Sequence, residues 1–162
     1  MDFISQTTAK IMLPDAAARL AAGQRLLTRK VVFTNGVFDL IHPGHLTYLA
    51  QARSLGDFLV VGLNADSSVR RLKGPTRPVM NEEARALLLA SLACVDVVVL
   101  FATETPLDLI TTIRPDLLVK GGDYQPDRIV GAAEVRADGG EVRVLPFIDG
   151  QSSTAIIDRL QK

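Results

Sequence analysis

The sequence predicts an α/β fold, a Rossmann-like doubly wound parallel sheet of five strands with helices on both faces. Short apolar runs rich in β-branched residues alternate along the chain with helical patterns, which is typical of βαβ units. The runs are apolar at nearly every position, as expected for parallel strands that helices cover on both faces. The chain has 162 residues, of which 48% are apolar and 22% are charged, and this size and composition suit one globular domain.

Five segments have the pattern of buried strands, and right-handed crossovers between them give a doubly wound sheet. In such sheets ligands bind at the carboxyl ends of the strands, so the loops that follow the strands are the candidate ligand site. No G-x-G-x-x-G follows the first strand and no P-loop motif occurs, which argues against a dinucleotide oxidoreductase and a P-loop enzyme. The predicted strands are Val31–Thr34, Phe58–Leu63, Val95–Leu100, Leu117–Val119 and Val142–Leu145.

Helical patterns with recognisable start signals lie between these strands. Asn81 followed by Glu82 and Glu83 is typical of an N-cap with an acidic first turn, and Thr105 precedes Pro106 at another helix start. The predicted helices are Leu46–Leu55, Glu82–Leu92, Pro106–Ile113, a helix at about residues 129–137, and Ala155–Gln161 after the last strand.

Residues 1–29 are an alanine-rich, amphipathic lead-in to the main domain, which comprises residues 30–162. A helix at Asp15–Ala22 is expected to pack on that domain, so that the chain forms a single domain overall. Residues 1–8 are expected to be disordered, as the ends of chains often are.

Charge and cysteine content argue against several classes of protein. Basic and acidic residues number 18 each, so no basic excess favours binding to nucleic acid or to an anionic membrane. No apolar run has the length of a membrane span, and the start of the chain lacks a signal-peptide pattern. The single cysteine, Cys94, lies in an apolar stretch where packing is the expected role, and one cysteine forms no disulfide within the chain. We therefore expect a cytoplasmic protein.

The most informative motif is His42-Pro43-Gly44-His45, which lies between the first predicted strand and its helix. The first turn of a helix has unpaired N–H groups and partial positive charge, so it attracts anions. Pro43 suits a helix start, and Gly44 lets a ligand approach the backbone. The two imidazoles, the only histidines of the chain, would project beside that anion, as suits a triphosphate whose charge shifts during reaction. The alternative is a helix start with surface or capping histidines.

Polar residues that follow the first two strands are candidates for the same rim of the sheet. Asn35-Gly36 is a turn pair that can curl backbone amides around a phosphate. Asp39 either orients a histidine, binds substrate hydroxyls or caps the loop. Asp66 either meets ribose hydroxyls or caps the following helix.

A basic cluster, residues 70–78, lies in a segment that glycine and proline break into a loop. It is either a clamp over substrate phosphates or a solvated loop. Lysine supplies a mobile point charge and arginine a bidentate fork, and Lys73 and Arg77 are the candidates because the loop geometry around them is restricted. Arg85, one turn into the next helix, faces either the site or solvent.

Two later segments complete the predicted rim. Lys120-Gly121-Gly122-Asp123-Tyr124 follows a strand, and its glycines let the backbone approach a base or ribose, although an ordinary turn has the same composition. Ser152, Ser153 and Thr154 precede the last helix, where hydroxyls either cap the helix or hold a phosphate.

Together these motifs resemble those of the cytidylyltransferase-like nucleotidyltransferases and, more closely, those of the D-glycero-β-D-manno-heptose 1-phosphate adenylyltransferases. The resemblance covers the chain from about Lys30 to the C-terminus. Besides H-x-G-H, it rests on Thr34–Asp39, Arg71–Gly74, Lys120–Tyr124, Gly139–Val142 and Asp149–Thr154.

The resemblance implies transfer of AMP from ATP to a sugar 1-phosphate, giving pyrophosphate and ADP-heptose for the inner core of lipopolysaccharide. It also implies Mg²⁺ held mainly by the phosphates, a homodimer, and a stand-alone enzyme whose substrate a separate kinase supplies. His42, His45 and Lys73 are the implied catalytic residues. Asp39, Lys73, Arg77 and Arg85 are expected at the substrate phosphate and sugar, and the nucleotide is expected to contact Thr34, Asn35, Gly36, Phe38, Gly44, Asp66, Lys120, Gly122, Asp123, Ser152, Ser153 and Thr154.

One departure from the related glycerol-phosphate cytidylyltransferases bears on the choice of nucleotide. Those enzymes carry an arginine shortly before the serine-rich segment, where this chain has Phe147 and Ile148. A cytidylyltransferase for glycerol 3-phosphate or another sugar phosphate is therefore the less favoured alternative. A nucleotide-binding module without turnover is a further alternative, against which the presence of His42, His45 and Lys73 argues.

Overall fold

The strands form an all-parallel sheet in the order β3-β2-β1-β4-β5, which confirms the predicted doubly wound fold. The computed structural model describes residues 2–146 and 152–160, and these ranges contain one five-stranded sheet. Four of the strands in the described ranges extend further toward their carboxyl ends than predicted, so that Asn35, Asn64 and Lys120 still belong to the ladder, whereas β5 ends at Leu145 as predicted. The strands are β1 (Val31–Gly36), β2 (Phe58–Asn64), β3 (Val97–Phe101), β4 (Leu117–Gly121) and β5 (Glu141–Leu145).

The helices agree with the predicted ones except at two places. Residues 66–73 form a helix that the sequence pattern did not predict, and the prediction of disorder for residues 1–8 was wrong because residues 3–8 form a helix capped by Asp2. The helices are α1 (Phe3–Thr8), α2 (Pro14–Leu26), α3 (Pro43–Arg53), α4 (Asp66–Lys73), α5 (Glu82–Ser91), α6 (Leu107–Ile113), α7 (Ala132–Ala137) and α8 (Ser153–Leu160), with a 3₁₀ turn at Pro126–Arg128.

Alternate residues of each central strand point to opposite faces, and each face is covered by its own helices. On one face, the side chains of α2, α6 and α7 pack on Val31, Phe33 and Val60. On the other face, α3 and α5 pack on Val32 and Leu59. All of these strand residues are fully buried, which explains why the strand segments are apolar without alternation.

The lead-in packs against the sheet and also pairs with it. Ala17 and Ala21 of α2 are fully buried in the first of these two cores. Ahead of α2, residues 10–12 run beside β3, where Val98 donates to the Lys10 carbonyl at 2.9 Å and accepts from Met12 at 3.0 Å. The outer edge of β3 is therefore paired along part of its length.

The strand order reverses between β1 and β4, since the chain winds outward from β1 first through β2 and β3 and later through β4 and β5. At such a switch point the connections leave in opposite directions and open a crevice at the carboxyl ends of the two central strands. That crevice is where the residues predicted for ligand binding should meet. None of the described helices has the length and apolar character needed to cross a membrane.

Gly62 of β2 gives a test of the packing below this crevice. A Cβ at Gly62 would lie 2.9 Å from the Phe33 ring and 3.2 Å from the Cβ of Asn35, in a fully enclosed part of the core. We expect Gly62→Ala to lower the free energy of unfolding by about 1–3 kcal/mol through overpacking. Gly23→Ala is the matched control, because nothing lies within 4 Å of its Cβ and it is helical, so it should stabilise by about 0.5–1 kcal/mol. Urea unfolding measures both, and equal stability of the two variants would contradict the packing described.

Candidate active site

A cavity of about 280 Å³ opens at the carboxyl ends of β1 and β4, at the switch point of the sheet. Part of its wall comes from the end of β1, the loop after it and α3. Other parts come from residues 73–77, the end of β4 and the start of α8. Most of the segments predicted for ligand binding meet here. The lining residues are Asn35, Gly36, Val37, Phe38, Asp39, His45, Tyr48, Lys73, Arg77, Lys120, Gly121, Tyr124 and Ser153.

The His42-Pro43-Gly44-His45 motif forms the start of α3 as predicted. His42 is the N-cap residue with extended backbone, and Pro43 is the first helical residue. The N–H groups of the first helical turn have no partners within the helix. The His42 side chain makes no capping hydrogen bond, so the alternative of a capping histidine is wrong for this residue.

The two imidazole rings stack on each other beside this helix start. Their centroids lie 3.8 Å apart with 26° between the ring planes, and the Phe38 ring meets His45 edge-on at 5.4 Å. His42 is 9% exposed, so the alternative of a surface histidine is wrong for this residue, whereas His45 is partly buried. Within the described residues, the Nδ1 atoms of both rings are buried without a hydrogen-bond partner. Buried polar atoms are normally paired, so these two unpaired nitrogens mark the histidine pair as a candidate functional feature.

Burial keeps both histidines uncharged near neutral pH. Desolvation lowers the pKa of His42 below its ordinary value. For His45, desolvation together with the nearby His42 and Lys73 lowers the pKa to about 4. A neutral imidazole has one N–H donor and one acceptor nitrogen, so each ring can donate to a phosphate oxygen without carrying charge.

Asp39 links the histidine loop to the basic segment. It lies between Phe38 (φ 47°) and Leu40 (φ 51°), both in the left-handed region that non-glycine residues rarely adopt. Its carboxylate accepts hydrogen bonds from Arg77 Nε at 3.0 Å and from the N–H groups of Val79 and Met80 at 2.9 and 3.0 Å.

This environment keeps the Asp39 carboxylate ionised, and its oxygens already accept hydrogen bonds. Burial raises the pKa of its carboxyl, but the hydrogen bonds from Val79, Met80 and Arg77 outweigh that effect, and the pKa lies below its ordinary value. The side chain is 1% exposed. Asp39 therefore anchors residues 77–80, and sugar hydroxyls would reach its oxygens only by displacing these donors.

Lys73 and Arg77 both reach the cavity, although the predicted loop begins later than expected. Residues 70–73 are the last turn of α4, and only the part after Gly74 is irregular. Partial desolvation against the cavity wall and the neighbouring Arg77 lower the pKa of Lys73, while part of its side chain still reaches solvent. Over the described ranges no carboxylate lies within ion-pair distance of Lys73.

Lys120 forms the opposite wall at the end of β4. Its Nζ donates to Oδ1 of Asn35 at 3.0 Å, a neutral partner, and burial lowers the pKa of the ammonium group. Gly122 has φ 120° and donates to the Leu145 carbonyl, so it shapes the turn and does not line the cavity. Asp123 is exposed outside the lining, whereas Tyr124 contributes to it.

The serine-rich segment joins the site through one residue. The Ser153 hydroxyl donates to the Asp39 carbonyl, which brings the start of α8 against the histidine loop. Ser152 caps α8, since its Oγ accepts from Ala155 N–H at 3.0 Å, and Thr154 is exposed. Phe147 and Ile148, which stand where related enzymes have an arginine, lie outside the described residues.

Nine of the predicted site residues do not line the cavity, namely Thr34, His42, Gly44, Asp66, Arg85, Gly122, Asp123, Ser152 and Thr154. His42 is next to the site through its stacking on His45, which does line the cavity. Thr34 is buried and its hydroxyl lies 2.6 Å from the hydroxyl of Tyr48. Asp66 neither caps a helix through its side chain nor lines the cavity, because its Oδ1 pairs with Arg85 Nη2 at 2.6 Å. Arg85 faces neither the site nor solvent, since its side chain is 0% exposed.

Tyr48 is a cavity residue that sequence reasoning missed. It lies three residues after His45 in α3, so the two side chains share one helix face, and this spacing could have pointed to it. Burial raises the pKa of its hydroxyl to about 12, which keeps it protonated between the Thr34 hydroxyl and the Val119 carbonyl.

Comparison with known proteins agrees with this geometry. Residues 33–159 match the Cytidylyltransferase-like family, a range that includes all the cavity-lining residues named above. The chain belongs to this family. It is 57% identical over 94% of its length to the Bifunctional protein HldE of Acidiphilium cryptum and 52% identical over 93% to that of Trichlorobacter lovleyi. The chain spans 31% of each of these relatives, so about a third of their length is shared.

Two solved structures support the family fold. A lipopolysaccharide core biosynthesis protein of Thermoplasma volcanium aligns with a TM-score of 0.60 and 28% identity, covering 76% of this chain and 99% of that one. Pantoate-beta-alanine ligase of Francisella tularensis aligns with a TM-score of 0.58 over 93% of this chain and 77% of that one. At 16% identity, the latter shows a shared fold alone.

The depressed pKa of His45 predicts a specific pH dependence of stability. Because its folded-state pKa of about 4 lies below the ordinary 6.5, the unfolded chain binds more protons between these values. Stability should therefore be full above pH 6.5 and should fall as the pH drops toward 4, by at most about 3 kcal/mol from this residue. Urea unfolding from pH 4.5 to 7.5 measures the free energy of unfolding of the wild type and of the control His45→Gln, whose new side chain does not titrate in this pH range. Parallel pH profiles for the two proteins would contradict a buried neutral His45.

Proposed function

We propose that this domain transfers AMP from ATP to D-glycero-β-D-manno-heptose 1-phosphate, releasing pyrophosphate and forming ADP-heptose for the inner core of lipopolysaccharide. The observation that carries the proposal is the pair of stacked imidazoles at the start of α3, of which His45 lines the same cavity as Lys73, Arg77 and Lys120. The family membership, the bifunctional HldE relatives and the lipopolysaccharide core protein of similar fold support it.

The charge of the cavity fits two phosphorylated substrates. Among the described residues, three cationic side chains line it against one carboxylate, Asp39, and that carboxylate is already paired with Arg77. Triphosphate and sugar phosphate together bring several negative charges, which the remaining cations and the first-turn N–H groups of α3 can bind.

In the proposed reaction, an oxygen of the sugar phosphate attacks the α-phosphorus of ATP, and the bond from that phosphorus to the pyrophosphate oxygen breaks. The attacking oxygen is already anionic, so no side chain needs to remove a proton. Catalysis then consists of positioning and of stabilising the charge that shifts onto the phosphoryl oxygens and the leaving pyrophosphate. His42 and His45 would donate to the α-phosphoryl group, and Lys73 would lie near the leaving phosphates.

Magnesium fits this scheme as an ion carried by the substrates. The described residues contain no cluster of three or more His, Cys, Asp or Glu side chains arranged as metal ligands. Mg²⁺ bound mainly by phosphate oxygens and water would neutralise phosphate charge when the substrates bind.

An assay of pyrophosphate release tests the function, with ATP and CTP each offered a panel of sugar 1-phosphates and glycerol 3-phosphate. We expect turnover with ATP and the heptose 1-phosphate. Preference for CTP with glycerol 3-phosphate would establish the cytidylyltransferase alternative, and no turnover with any pair would favour a binding module. The homodimer and the cytoplasmic location expected from the sequence stay predictions.

The histidines should act on the chemical step. We expect His42→Ala and His45→Ala each to lower kcat about 10²–10³-fold, by analogy with the loss of one transition-state donor. If the stacked rings act as a unit, the double variant should lose little more than the worse single variant. Single-turnover rates measure this, with circular dichroism as the control for folding. Rates near wild type in both single variants would remove the histidines from the mechanism.

Lys73 should act on phosphate handling. We expect Lys73→Ala to lower kcat/KM about tenfold or more through loss of a charge-assisted contact, with the fold intact. Arg70→Ala is the matched control, because Arg70 is an exposed cation in the same last turn of α4 and does not line the cavity. Equal kcat/KM values in the two variants would place Lys73 outside the site.

A further inference from the structure

Arg85 is a fully buried arginine, and four hydrogen bonds from its guanidinium go to the chain itself. Its Nε donates to the Met80 carbonyl at 3.0 Å, and its Nη1 donates to the carbonyls of Val37 at 2.7 Å and Asn64 at 2.9 Å. Its Nη2 pairs with Asp66 Oδ1 at 2.6 Å. One guanidinium therefore joins the loop after β1, the junction between β2 and α4, and the residue before the N-cap of α5.

The four residues that accept hydrogen bonds from Arg85 lie in, or next to, the segments that carry the candidate catalytic groups. Val37 begins the loop that leads to His42, and Asn64 ends β2 just before α4. Asp66 and Met80 lie at the two ends of a segment, residues 66–80, that holds both Lys73 and Arg77. The histidine loop and the cationic segment are thus held against one rigid side chain.

We propose that Arg85 is a positioning residue for nucleotidyl transfer, which sets the placement of residues 66–80 relative to the histidine loop without touching substrate. The expected effect of Arg85 on kcat rests on the proposed function. The expected effect of Arg85 on the placement of residues 66–80 rests on its hydrogen bonds alone.

The geometry requires arginine rather than any cation. The planar guanidinium presents five N–H donors in a fixed fork, so it can reach four acceptors that surround it. A lysine ammonium has three donors at one point, which leaves at least one of these acceptors without a partner. The segment whose partner is lost can then move, and a displacement of about 1 Å is enough to lower a rate by 10²-fold.

The kinetic test compares Arg85→Lys with Arg53→Lys. Arg53 is the matched control because it also joins a carboxylate, Asp96 at 3.0 Å, and a carbonyl, Gly56 at 2.6 Å, but does not line the cavity. Below the melting temperature of each variant, we expect Arg85→Lys to lower kcat about 10–100-fold. Arg53→Lys should keep the wild-type kcat. A wild-type kcat per folded molecule in Arg85→Lys would overturn the proposal.

A second measurement does not depend on any substrate. The chain has only two histidines, so their NMR titrations are resolved and assigned with the single alanine variants. Lys73 contributes to the low pKa of His45, so moving residues 66–80 away should raise that pKa toward its ordinary value. Loss of stability alone would leave the titration of the folded protein unchanged, and an unchanged titration in Arg85→Lys overturns the proposal.

Asp66→Ala keeps the test decisive if Arg85→Lys does not fold. This variant releases only the start of α4, and Asp66 is partly exposed, so folding should persist. We expect its His45 pKa to rise and its kcat to fall, both less than in Arg85→Lys. A folded Asp66→Ala protein with wild-type kcat and titration refutes the positioning role. If the wild type shows no turnover, the proposed function fails while the titrations still decide the role of Arg85.

Discussion

Two buried charges of opposite sign determine how the rim of this sheet is built. Asp39 and Arg85 meet at Met80, whose N–H donates to Asp39 and whose carbonyl accepts from Arg85. A buried charge is tolerated only with hydrogen-bond partners or a counter-ion, so each of these two ions constrains every segment that supplies a partner. Ser153 extends the same network to the last helix through the Asp39 carbonyl. The loop after β1, residues 66–80 and the start of α8 therefore share one arrangement.

This network separates structural charge from charge that a ligand can use. Asp39 neutralises part of Arg77, whereas Lys73 and Lys120 reach the cavity without a carboxylate partner in the described part of the chain. Burial lowers the pKa of both histidines, and the nearby His42 and Lys73 lower that of His45 further. Under the proposed function, a bound phosphate would meet uncharged imidazole donors as well as cations, an arrangement suited to a group whose charge redistributes as it reacts.

The sequence predicted the sheet, its five strands and the rim, because apolar periodicity and helix signals are local properties. It also brought His45, Lys73, Arg77 and Lys120 together at this rim, whereas Arg85 lies neither at the cavity nor in solvent, the two places predicted for it. It did not predict α4, since few of its residues are apolar and its order comes from tertiary contacts such as Asn64 with Ser68 and Asp66 with Arg85. The burial of Arg85 was likewise invisible, because two of its acceptors are the backbone carbonyls of Val37 and Asn64, which belong to segments far from Arg85 in the sequence.

The pairing of residues 10–12 with β3 has a consequence for any shortened form of this chain. A strand at the margin of a sheet offers unpaired N–H and C=O groups to other molecules, and parallel pairing at Ile11 occupies them here. Removal of the lead-in would also uncover the apolar surface beneath Ala17 and Ala21. A protein that started at β1 would retain every cavity residue and yet self-associate through its exposed margin, so its loss of activity would reflect aggregation rather than damaged chemistry.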